Sequence, residues 1–156
     1  MRCPRECCTE SPGKKQRDER IVALIIGVAL ALAVSLLARA TGLDRDRALY
    51  PAFMMVIAAL YSLFAVMGAD THALVAEILI GAGFLALTIA GFRSSLWLVV
   101  VALAGHGLMD LFHARIVADP GVPTFWPAFC SSYDIAAAAF LAWLLKSGRV
   151  RAASFR

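Results

Sequence analysis

Long, unbroken apolar runs dominate this chain, beginning with the uncharged stretch from Ile21 to Ala38. About 18 such residues or more, wound as a helix, are enough to cross a hydrocarbon core ~30 Å thick. Lipid offers backbone N–H and C=O groups no partners, so only helices or a closed barrel can cross it. Barrel strands would alternate apolar and polar residues, whereas these runs are continuous, so helices are expected. The composition agrees: 61% of the 156 residues are hydrophobic and the mean hydropathy is +0.76. Soluble domains are nearer half apolar.

The expected fold is therefore all-α, a polytopic membrane protein forming an up-and-down bundle of about five transmembrane helices. The spans read as residues 21–38, 48–67, 71–91, 94–117 and 128–145, all within one bundle over 21–146. Pro51 falls in the first turn of its span, where a missing N–H does no harm. Asp70 or Thr71 can cap the third span, and Ser94 or Ser95 the fourth. Residues 1–20 are polar and charged and read as a disordered tail. Residues 147–156 form a short basic tail. Between spans four and five, Pro120, Pro123 and Pro127 with Phe125 and Trp126 predict a stiff interfacial loop. Short connections make consecutive spans antiparallel neighbours.

The formal charge of +4 does not indicate a nucleic-acid partner, because the basic residues sit at chain ends and in connections. The expected surrounding is the lipid bilayer, in a cell (inner) membrane. Lys and Arg are shared almost evenly between the two sides, so orientation stays open. Cys3, Cys7 and Cys8 lie in the tail without a CxxC pair and read as free thiols rather than zinc ligands.

Ionisable side chains inside spans are costly and mark function by default. This chain places Glu77 in span three, His106, Asp110 and His113 in span four, and Asp134 in span five. His106, Asp110 and His113 stand at i, i+4 and i+7 and share one helix face. Counted from the span ends at ~1.5 Å per residue, Tyr61, Glu77, Asp110, His113 and Asp134 fall into one layer, ~6–10 Å deep on the same side, with His106 deeper. Cys130 and Ser131 lie on the face of Asp134, nearer the mouth, and His72 at the rim.

Imidazole and carboxylate are ligands for Zn, Fe or Mn. Asp110, His113 and Asp134 are the expected metal ligands, with Glu77 as general base or fourth ligand and His106 in a supporting or proton-carrying role. A metal with an open position activates water, so the leading reading is a metal-binding, hydrolytic intramembrane site. In ligand type, the HxxxDxxH spacing of His106, Asp110 and His113 resembles the sites of membrane ceramidase-like hydrolases, which have more spans and further motifs absent here. Three other readings use the same residues. A proton- or metal-coupled transporter would employ them as a relay, and with five spans would need to be a homo-oligomer. A non-catalytic accessory subunit of a membrane complex would use them as interhelical ties. Haem would need axial histidines from facing helices, with His72 the one available to oppose His106 or His113.

Overall fold

A computed structural model describes residues 12–45 and 47–150. Among them the chain is all helical, with no strand. Helix α1 spans Pro12–Thr41, α2 Leu49–Met67, α3 Thr71–Arg93, α4 Leu96–Asp110, α5 His113–Ile116 and α6 Trp126–Lys146. A 3₁₀ turn, Leu43–Arg45, joins α1 to α2. Four helices, α1, α2, α3 and α6, are long and apolar enough to cross a membrane.

The helix ends follow the local chemistry. The Asp70 carboxylate accepts from the backbone N–H groups of His72 and Ala73, both at 2.9 Å, and so caps α3. Ser95 caps α4 through the N–H of Trp97. Pro127 sits in the first turn of α6, where its missing N–H costs nothing. That helix begins at Trp126, so the end of the expected loop belongs to α6. Residues 12–20, within the expected disordered tail, begin α1 instead, and 13–20 are exposed and mostly charged. Residues 1–11 with Cys3, Cys7 and Cys8, and residues 151–156 of the basic tail, lie outside the described residues.

The fourth span departs most from expectation. A continuous helix over 94–117 is replaced by α4, a break at Leu111–Phe112, and the single turn α5. At 15 residues, α4 is ~22 Å long, short of a full crossing. Neither proline nor glycine stands at the break. Just beyond it His113 makes tertiary contacts, to Glu77 of α3 and Tyr61 of α2.

The packing order also differs from chain order. Helix α1 packs chiefly on α6, α6 on α4, α4 on α3, and α3 on α2. The first two helices are thus not the closest neighbours that their short connection predicts. Gly27 explains the seat of α1. A Cβ there would collide with the Ser132 hydroxyl and the Phe129 carbonyl of α6.

Each inward stripe divides into two halves. Toward one membrane face, Met54, Val99, Leu103, Leu141 and Leu144 are fully buried and form a continuous apolar core. Toward the other face the same stripes carry Tyr61, Glu77, His106, Asp110, His113, Ser131 and Asp134, all at most 3% exposed.

Candidate functional site

The polar half of the bundle is centred on α4. Leu96, Val99, Leu103, His106 and Asp110 recur at helical spacing along its buried face, so the stripe that is apolar at one end becomes ionisable at the other. Gly107 brings α6 against this stripe. A Cβ on Gly107 would lie 2.9 Å from the Ser131 carbonyl oxygen and 3.1 Å from the Asp134 Cβ. The close approach delivers the Asp134 carboxylate to His106, with Nδ1 and Asp134 Oδ2 hydrogen-bonded 2.8 Å apart. Asp110 Oδ2 lies 3.5 Å from the same Nδ1. One ligand atom each from His106, Asp110 and Asp134 falls within 4.8 Å of the others.

This trio is short of partners. Among the described residues, neither oxygen of Asp110 nor Oδ1 of Asp134 has a hydrogen-bond partner. The Tyr61 hydroxyl is buried beside Asp110. Asp110 is 2% exposed and Asp134 0%. Two buried carboxylates cannot both stay ionised beside one imidazole without further positive charge, because desolving an unpaired charge costs several kcal/mol or more. Either protons or a divalent cation can supply it. Metal–ligand bonds of about 2.1 Å imply tetrahedral ligand separations of ~3.4 Å. The 3.5 Å spacing from His106 Nδ1 to Asp110 Oδ2 is of that size, whereas the 2.8 Å spacing to Asp134 Oδ2 is a hydrogen-bond distance that would have to open by about 0.6 Å around an ion.

A second pair lies beside the first. His113, carried by the single-turn α5, donates from Nε2–H to Glu77 Oε1 of α3 at 2.7 Å. The Tyr61 ring stacks on His113, with centroids 4.4 Å apart and planes at 28°, and reaches His106 at 5.8 Å. Phe84 closes the far side of His106 edge-on, at 5.0 Å. Tyr61 is thus a shared wall between the two histidines. Its depth marks it in the sequence, but its stacking role has no sequence signal.

The five predicted site residues all fall in this one buried layer, but grouped differently from expectation. His106, expected in support, joins Asp110 and Asp134. His113, expected to share an ion with those aspartates, is bonded instead to Glu77. The cause is the break after Asp110, which turns His113 off the α4 axis toward α3. Cys130 is buried one turn before Asp134, within electrostatic reach of both aspartates. His72 is exposed at the start of α3 and faces neither buried histidine as an axial partner would.

The layer opens to one side. A cavity of about 500 Å³ reaches Asp110 and His113 and is walled by Arg20 of α1, by Asp119, and by Pro123 and Pro127 around the interfacial loop. Non-helical backbone at membrane depth is tolerated where it lines a water-filled cavity or is buried in protein. The break at Leu111 satisfies that condition, since Leu111 itself lines the cavity. No family model, curated protein or solved structure matches the chain.

Proposed function

We propose that this protein is a membrane-embedded, divalent-metal-dependent hydrolase whose site opens to one membrane face. The observation that carries this reading is the His106/Asp110/Asp134 trio, three buried ligand groups within 4.8 Å in which both Asp110 oxygens and Asp134 Oδ1 lack a hydrogen-bond partner among the described residues and both carboxylates share one imidazole nitrogen. Its charge suits one Zn²⁺, Fe²⁺ or Mn²⁺, which neutralises both aspartates. Bound there, such an ion would supply Lewis acidity and a water of lowered pKa.

The chain's own groups provide the rest. His113, which lines the cavity, and Glu77, hydrogen-bonded to it, form a proton-accepting pair, and Glu77 orients the imidazole through the Nε2 bond. Tyr61 fixes the tilt of His113 by stacking. The cavity admits a substrate and water from one side only. In hydrolysis the water oxygen joins the electrophilic carbon or phosphorus, the bond to the leaving group breaks, and the departing atom takes a proton. His113 is placed to hold the proton between those events.

A second reading, a proton relay for transport, draws on one observation: Tyr61 links the His113–Glu77 and His106–Asp134 pairs. The apolar half of the bundle weighs against it. Beneath His106 the stripe continues as Leu103, Val99 and Leu96, each at most 1% exposed, with no ionisable group on that face of α4. The hydrolase reading is tested by metal analysis of the purified protein, followed by hydrolysis assays on ester and phosphoester amphiphiles with and without chelator.

A further inference from the structure

We propose that the ligand of this site is a zwitterionic acyl amphiphile drawn sideways from the bilayer, with its chain in a groove along α1 and its head in the cavity above Asp110 and His113. The inference rests on the hydrolase reading for the chemistry, but not for the binding.

The groove is separate from the cavity and adjoins it. It has a volume of about 460 Å³ and is walled by Val22, Ala23 and Ile26 of α1 and by Phe125. Its other end carries Lys15, Asp18 and Glu19. From Lys15 to Ile26 it runs ~16 Å along the helix. Val22 and Ile26 are 53% and 52% exposed in the absence of lipid, so this wall faces the hydrocarbon. The charged turn up to Arg20 sits at headgroup level, directly above it.

The same two segments build both spaces. On α1, Lys15, Glu19 and Val22 line the groove, while Gln16 and Arg20 on the next face line the cavity. On the interfacial loop, Phe125 lines the groove and Thr124 the cavity. One molecule can therefore place a chain on the apolar side and a head on the polar side, straddling α1 and Phe125. A soluble polar substrate would leave the groove unused, and a pure hydrocarbon would leave the cavity unused.

Charge selects the head. Lys15 and Arg20 offer cations to a phosphate. In the cavity Asp119 offers a carboxylate to an ammonium, its Oδ2 buried without a hydrogen-bond partner among the described residues, and Asp18 and Glu19 add two more at the charged end of the groove. Both signs at the mouth favour a head that carries both, such as a phosphoethanolamine. A head with phosphate alone would set its charge against three carboxylates.

The test is photo-crosslinking of the full chain in nanodiscs with a monoacyl glycerophosphoethanolamine bearing a diazirine in the acyl chain. Crosslinked sites are mapped by mass spectrometry. Labelling at Val22, Ile26 and Phe125 is expected to exceed labelling at Leu36 and Leu37 at least fivefold, although those two are equally open to lipid at 57% and 64% exposure. Val22→Trp, which fills the groove, should cut the labelling at Phe125 severalfold and leave metal content unchanged; Ile26→Trp serves if that variant does not fold. Even labelling along α1, or labelling indifferent to both tryptophans, would overturn the proposal. The same chain on a glycerophosphate head should label more weakly, and equal or stronger labelling would overturn the zwitterionic assignment. Focused labelling of a protein that holds no metal would keep the ligand and remove the hydrolase. Metal without focused labelling would do the reverse.

Discussion

Gly107 of α4 and Asp134 of α6 are in backbone-to-side-chain contact: a Cβ on Gly107 would stand 3.1 Å from the Asp134 Cβ and closer still to the Ser131 carbonyl. That one missing side chain sets the spacing of the two helices that supply the trio. Gly107→Leu must push α6 away from α4. Overpacking of this kind typically costs about 1–3 kcal/mol. The expected outcome is a lower thermal midpoint in detergent together with loss of bound metal, whereas Gly83→Leu, at a site with open space, should change neither.

Asp110→Asn separates stability from metal binding. It removes a buried charge that shares its single nearby imidazole, at 3.5 Å, with Asp134, so the metal-free variant should be at least as stable as metal-free wild type. Metal added at ~100 times its dissociation constant should stabilise wild type by about 2.7 kcal/mol and the variant hardly at all. Thermal unfolding with and without Zn²⁺ or Mn²⁺ reads both effects. A metal-induced shift of equal size in the two proteins would remove Asp110 from the site.

The His113–Glu77 bond ties α5 to α3. Interhelical hydrogen bonds inside membranes average ~0.6 kcal/mol and reach ~1.7. With both groups at most 3% exposed and 2.7 Å apart, this pair should lie at the upper end. A double-mutant cycle on Glu77→Gln and His113→Leu, followed by reversible unfolding, is expected to give a coupling above about 1 kcal/mol. A coupling near zero would mean that the break at Leu111–Phe112 is held by something else.

Water should reach the site from one side only. With Cys3, Cys7 and Cys8 replaced by serine, Ala114→Cys on the cavity wall should react quickly with a membrane-impermeant thiol reagent. Leu103→Cys, 0% exposed in the apolar half, should not. The native Cys130, 2% exposed, should react slowly if at all. Fast labelling at position 103 would reveal a through-path and favour the transport reading.

Much of this architecture is legible from residue order. The apolar runs determine the helices, and Asp70 and Ser95 are found where capping chemistry places them. The spacing of His106 and Asp110 puts them on one face of α4, as the structure has them, while His113, expected on that face too, lies on α5; span arithmetic brings Glu77, Tyr61 and Asp134 to their level. The pairing within that layer is not legible. It depends on α4 stopping at Asp110, and Leu111–Phe112 carries no proline, glycine or capping residue to announce a stop. Beyond the break His113 meets Glu77 of α3 and Tyr61 of α2, contacts that local propensity does not encode. The seat of α1 on α6 is hidden for the same reason. Gly27 is one glycine among many apolar residues until its neighbour is known.

The most direct test of the central claim is elemental analysis of detergent-purified protein, loaded with Zn²⁺, Fe²⁺ or Mn²⁺ and desalted, beside Asp110→Asn/Asp134→Asn. One metal ion per chain in the wild type, absent from the folded double variant, is the predicted result. A folded wild type that retains no metal after loading, or a double variant that retains as much, would contradict it.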